Sequence, residues 1–169
     1  MAYKYTAFNS LSSVKQNLLN QAAEIINNCY NIYSNYSVAA ALITKSGKIY
    51  RSCNFENASY GLSICAEPGV LQSAFSMGDC LIECIAVIGG FADHSSGEPP
   101  MPCGRCRQLI SEASFISGKN IDIVASNLDF STIIETNIEY LLPAPFNLKN
   151  LQMVDKIESY KLKCKNYEL

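Results

Sequence analysis

The sequence predicts an α/β sandwich in which helices cover a mixed sheet. Segments with helical apolar spacing alternate with short strand-like runs, the order expected of α/β folds. Leu81 to Ile88 is almost continuously apolar, as buried strands are. The chain has 169 residues, 49% hydrophobic and 17% charged, which supplies one core of single-domain size and excludes a disordered chain.

From Leu11 to about Asn31 the residues Leu11, Val14, Leu18, Ala22, Ile25, Ile26 and Cys29 recur at spacings of three, four and seven, which predicts a first helix. Val38–Thr44 and Lys48–Cys53 flank the turn-prone Lys45-Ser46-Gly47 and predict an antiparallel hairpin. Cys65 to Met77 has helical spacing at Val70, Leu71, Ala74 and Phe75 and stops at Gly78. The apolar strand Leu81–Ile88 follows, then a Gly/Ser/Pro-rich loop from Gly89 to Met101. A short helix is expected from about Cys103 to Ala113, a strand at Ile121–Ser126 and a further strand near Ser131–Glu135. After Asn147, lysines interleave with Leu151, Val154, Ile157 and Leu162, which predicts a peripheral amphipathic helix.

Thirteen basic and fifteen acidic side chains leave a net charge of −2, so there is no global positive field to hold a phosphate backbone, and polynucleotide partners are disfavoured. No run reaches the roughly 18 apolar residues of a membrane span. Residues 1–15 contain no continuous apolar stretch of signal-peptide length. A reduced, cytoplasmic protein is therefore expected, in which the clustered members of the eight cysteines serve metal binding or catalysis rather than cross-linking.

Two segments carry chemistry, Cys65-Ala66-Glu67 and Pro102-Cys103-Gly104-Arg105-Cys106, each at the start of a predicted helix. The unsatisfied N–H groups and positive dipole of a first helical turn favour thiolate over thiol. Cys103 and Cys106 are spaced to share one side of a turn, and Cys65 adds a third sulfur. Three protein ligands leave one tetrahedral zinc position open for a water that loses its proton near neutral pH. Glu67, two positions after the first ligand, can take that proton and return it to a substrate nitrogen. A ligand-x-Glu followed by Pro-Cys-x-x-Cys is the pattern of zinc deaminases.

From about Tyr33 to Phe146 the chain resembles the cytidine deaminase family. Tyr33-Ser34-Asn35-Tyr36-Ser37-Val38 and the alanines after it resemble the family's entry to its first strand. Asn54-Phe55-Glu56-Asn57-Ala58-Ser59-Tyr60 resembles its Asn-x-Glu-Asn-Ala-x-Tyr segment. The two cysteine motifs resemble its zinc motifs, and Glu139-Tyr140-Leu141-Leu142-Pro143-Ala144-Pro145-Phe146 resembles its ending. The resemblance implies a three-layer α/β/α sandwich with a central mixed sheet of about five strands. It also implies a domain over residues 1–146, with 147–169 a helical tail on or near it. One zinc ion per subunit and hydrolysis of cytidine or deoxycytidine to uridine or deoxyuridine and ammonia, a pyrimidine salvage reaction, are implied too. Asn54 and Glu56 would then hold the sugar, Tyr36 and Phe146 flank the pyrimidine, and Ala66 offer backbone groups to the base. Homotetramers are common among family members of this size, so a homotetramer is implied here, with a homodimer the alternative, and Tyr60 and Phe146 occupy positions implicated in shared pockets.

Two departures bear on the site. The family often carries arginine after Cys-Ala-Glu, offsetting the charge of three thiolates, whereas this chain has Pro68, a residue suited to a first helical turn. Arg105 is then the candidate for the charge role. The string Cys103-Gly104-Arg105-Cys106-Arg107-Gln108 is also similar to blasticidin-type deaminases, which act on a cytosine-bearing antibiotic, but those lack the equivalent of Glu56. A zinc-stabilised nucleoside-binding module without chemistry is the reading from another class, and the intact Glu67 argues against it. His94, the only histidine, reads as a surface residue.

Overall fold

The structure, a computed structural model, describes residues 3–165. Helix α1, Ser13–Ala23, opens with the Ser12 hydroxyl accepting from the Lys15 N–H, which satisfies one of the free donors of the first turn. Its apolar spacing predicted a helix to about Asn31, but Glu24 caps it, and Ile26–Asn28 form one 3-10 turn. The β-branched pair Ile25-Ile26 and the two asparagines after it are weak helix formers. Tyr30 then leaves to bridge Phe55.

Among the described residues one sheet contains all six strands, one more than the sequence predicted. They are β1 (Lys4–Thr6), β2 (Tyr36–Thr44), β3 (Ile49–Cys53), β4 (Ile82–Phe91), β5 (Asp122–Ser126) and β6 (Ile133–Asn137), in the order β1-β6-β5-β4-β2-β3. The extra strand is β1, an edge strand whose three residues are too few to show a period-2 pattern. Only the β4–β5 pair is parallel. Strand β4 also runs three residues into the predicted loop, so that Phe91 lies opposite Tyr36. Gly89 permits this close approach, because a Cβ there would stand 2.4 Å from the Ser37 carbonyl oxygen.

The alternation of β2 sorts the core into two layers. Ala39 and Ala41 face Leu18, Leu19 and Ala22 of α1, together with Ala86, Ile88 and Val124. Ala40 and Leu42 face the opposite side, with Ile85, Val87 and Ile123 beneath helices α2 (Ala66–Ser76), α3 (Gly104–Ser117) and α4 (Ile138–Leu141). The fold is thus the three-layer sandwich. Helix α3 passes its predicted end at Ala113 by one turn and stops where Gly118 takes the left-handed conformation at φ +66. In the tail, helix α5 begins only at Asp155 and runs to Lys165, its Tyr160 ring stacking on Phe75 at 6.4 Å. Residues 166–169 of the predicted tail lie outside the described residues.

Candidate active site

Cys65 and Cys103 are the N-cap residues of α2 and α3, so both sulfurs stand at positive helix ends. Cys106, in the first turn of α3 and fully buried, completes the group. The three Sγ atoms lie within 4.8 Å of one another, with Cys103 and Cys106 3.4 Å apart. Tetrahedral thiolates about 2.3 Å from zinc would stand roughly 3.8 Å apart, so the donor set suits that ion with little movement. Hydrogen bonding from the Cys106 thiol pulls Cys65 down to about 6 against its burial and the Glu67 charge, with Cys103 and the Arg105 cation also helping. The same hydrogen bond to Cys65, together with burial, pushes Cys106 up.

Glu67, on the first turn of α2, is only 4% exposed, and burial raises its carboxyl above the ordinary value. A carboxyl moved in this direction holds its proton more readily than a free one, as a proton carrier requires. Cys65, Glu67 and Cys103 open onto a cavity of about 290 Å³. Tyr36, Val38, Pro100 and Met101 also line it, as do Asn54, Glu56, Ser63 and Ile64. The Tyr36 ring is met edge-on by Phe91, with centroids 4.8 Å apart.

Asn54 lines this cavity and its amide also braces β2, accepting from the Val38 N–H at 3.1 Å and donating to the Tyr36 carbonyl at 3.0 Å, which uses one of its two N–H groups and one of its two lone pairs. Glu56 accepts from the Ser34 hydroxyl and from the N–H groups of Tyr33 and Ser34. The Ser34 hydrogen bond, aided by those two N–H groups and opposed by slight desolvation, holds the Glu56 carboxyl below its usual range. The carboxylate is ionised across neutral pH and can only accept.

The remaining residues singled out in the sequence lie around this core. Ala66 is buried at the start of α2. Arg105 is exposed and shares the groove between α2 and α3 with Pro68. Phe146 is 61% exposed and Tyr60 74%, and neither lines the cavity within one chain. Phe146 is anchored through its carbonyl, which accepts from Gln108 Nε2, and Tyr60 meets the Tyr33 ring. His94 is exposed, paired with Asp93. Cys80 and Cys84 are buried, and Cys164 lies beside Cys80 in one surface cavity. Sequence reasoning missed Ser34 as a partner of Glu56 and Phe91 as a partner of Tyr36. The register placing Phe91 opposite Tyr36 depends on β4 reading through two glycines.

Comparison with known proteins agrees with this arrangement. A family model described as the cytidine and deoxycytidylate deaminase zinc-binding region matches residues 12–118, which include all three cysteines and Glu67. A protein named cytidine deaminase from Halalkalibacterium halodurans is 34% identical over 137 residues, 81% of this chain and 97% of that protein. Another of that name from Sporosarcina psychrophila is 35% identical over 136 residues, 80% of this chain and 93% of its own. The crystal structure of cytidine deaminase from Burkholderia pseudomallei superposes with a TM-score of 0.67 at 34% identity, covering 80% of this chain and 100% of that one. With the three-layer fold, three converging cysteines and a buried glutamate inside the matched region, the chain belongs to the cytidine and deoxycytidylate deaminase family.

Proposed function

We propose that the protein hydrolyses cytidine or deoxycytidine to uridine or deoxyuridine and ammonia, with Cys65, Cys103 and Cys106 holding one zinc ion. The observation that carries this reading is a buried carboxyl group, Glu67, opening with Cys65 and Cys103 of the cysteine group onto one cavity that also contains Tyr36 and Glu56. Bound zinc supplies the positive charge that acidifies a water molecule. Glu67 would take one proton from the water that attacks C4 and give it to N3 of the pyrimidine, then take the second from the hydroxyl now on C4 and give it to the amine, so that the C4–O bond forms and the C4–N bond breaks with both protons accounted for. The Tyr36 ring offers its face to the base, Ala66 its backbone, and Glu56 accepts from a sugar hydroxyl. Asn54 fixes the strand that carries Tyr36 and Val38 through one N–H and one lone pair of its amide, and the second N–H and lone pair are the groups it offers to the sugar. Arg105 offsets the charge of three thiolates from the groove it shares with Pro68. Residues 1–146 form the deaminase domain, to which 147–169 add the tail.

Glu56 also selects the substrate class. An ionised carboxylate at the sugar end favours a free hydroxyl and opposes a phosphate, because like charges brought together are strongly unfavourable. The kcat/KM for cytidine is expected to exceed that for cytidine 5′-monophosphate by about 100-fold or more. Following the absorbance change of each substrate at equal concentration checks this. Preference for the monophosphate would contradict the assignment of Glu56 to the sugar, and turnover of blasticidin S alone would move the substrate to a cytosine-bearing antibiotic.

Ile32, Phe55, Tyr60, Leu62 and Phe146 are all more than half exposed in one chain, an apolar set of the kind found at interfaces between copies. A homotetramer that covers this surface is the expected assembly. Light scattering should give about four times the 18.6 kDa chain mass, and a mass of 18.6 kDa would contradict it.

A further inference from the structure

Ser34 stands between two residues of the candidate site without lining the cavity itself. Its hydroxyl oxygen lies 2.5 Å from Glu56 Oε1 and 3.0 Å from the Tyr36 backbone nitrogen. A serine hydroxyl has one hydrogen to give. The Tyr36 N–H occupies an acceptor lobe, so the hydrogen is directed to Glu56. The other carboxylate oxygen, Oε2, accepts from the Tyr33 N–H at 2.9 Å and the Ser34 N–H at 3.2 Å. The carboxylate thus has three donors from one short segment, out of roughly four acceptor positions. The turn that delivers them is itself fixed. Asn35 takes the left-handed conformation at φ 56, which asparagine tolerates, and its N–H donates to the Asn31 carbonyl at 2.8 Å. Asn31 Nδ2 in turn donates to the Ser37 hydroxyl on β2.

We infer that Ser34 is a positioning residue for sugar recognition: its hydroxyl, oriented by the Tyr36 N–H, holds the Glu56 carboxylate in one rotamer with an acceptor position left for a substrate hydroxyl. This inference rests on the reading that Glu56 receives the sugar. Long carboxylate side chains lose rotamer freedom when they bind, and a rotamer fixed beforehand removes that loss from the binding step. Ser34 therefore acts on nucleoside affinity through Glu56, with no part in proton transfer at the base.

The test compares zinc-loaded wild type, Ser34→Ala, Ser34→Thr, Glu56→Gln and the double variant Ser34→Ala/Glu56→Gln. Two quantities are measured for each: KM and kcat for cytidine, and the inhibition constant of 1-methylcytosine, which has the base but no sugar. Ser34→Ala should raise the cytidine KM about 10–100-fold, the scale of one hydrogen bond to a charged group, and change kcat by less than about threefold. It should leave the 1-methylcytosine constant unchanged. Ser34→Thr, which keeps the hydroxyl, should restore KM, and the double variant should be no worse than Glu56→Gln alone. An equal loss for cytidine and 1-methylcytosine would mean general loosening of the turn and would overturn the inference. An unchanged cytidine KM in Ser34→Ala, with a raised one in Glu56→Gln, would overturn it while leaving Glu56 on the sugar. An unchanged KM in Glu56→Gln would remove the reading of Glu56 itself. Should Ser34→Ala fail to fold, Ser34→Cys, of similar size but a weak donor, makes the same comparison.

Discussion

Glu67→Gln is expected to lower kcat for cytidine by about 10²–10⁴-fold, the range of general acid–base catalysis, while zinc content stays at that of the wild type. Glutamine matches the shape of the carboxyl at a site only 4% exposed, so no cavity forms. What it lacks is a proton to carry. The native carboxyl is pushed up by burial, which places its titration nearer the pH at which the proton must be both held and given away. Metal analysis with steady-state kinetics on the same preparation reads the two effects separately. Retained turnover with retained zinc would take Glu67 out of the reaction. Loss of zinc along with turnover would make the residue part of metal retention instead.

Cys106→Ser is expected to empty the zinc site. Cys106 is fully buried, belongs to a group whose sulfurs lie within 4.8 Å, and bonds to the Cys65 sulfur. A serine hydroxyl does not ionise near neutral pH, so it offers zinc no anionic donor, and two thiolates remain. The loss of affinity should exceed by far the roughly 10–100-fold that follows removal of a group merely supporting a ligand. Turnover should fall to background, and the melting temperature should drop because metal binding is linked to folding. Arg105→Ala is the graded companion. It removes a cation that favours the Cys65 thiolate from outside the ligand set, so zinc retention should weaken on that smaller scale. Competition against a chelator dye measures both variants. Wild-type retention by Cys106→Ser would show that this cysteine is not a ligand.

Local chemistry made much of this site legible in advance. Cys65 and Cys103 could be placed at helix starts because their motifs lead directly into helical spacing, and both are N-caps in the structure. Apolar periodicity located the hairpin, β4 and β5 to within a few residues. It could not show β1, whose three residues at the sheet edge are held by pairing with β6 rather than by burial. It overran α1, because Ile25, Ile26 and Cys29 continue a helical spacing that the weak helix formers around them do not sustain. Hydrogen bonding between distant segments was the least legible feature. Asn54 also braces β2 through its amide, and Glu56 depends on Ser34, 22 positions earlier. Phe146 and Tyr60 fall outside the cavity of a single chain, a placement that the linear motif cannot convey.

Conversion of a cytosine nucleoside and water into a uracil nucleoside and ammonia by three sulfurs, one zinc ion and Glu67 is the reaction expected of this site. Its most direct measurement incubates protein of assayed zinc content with cytidine and quantifies uridine and ammonia in the same reaction. One uridine and one ammonia released per cytidine consumed, many times over per chain, is the expected result. Folded protein carrying about one zinc per chain that forms neither product, from cytidine or deoxycytidine, would contradict it.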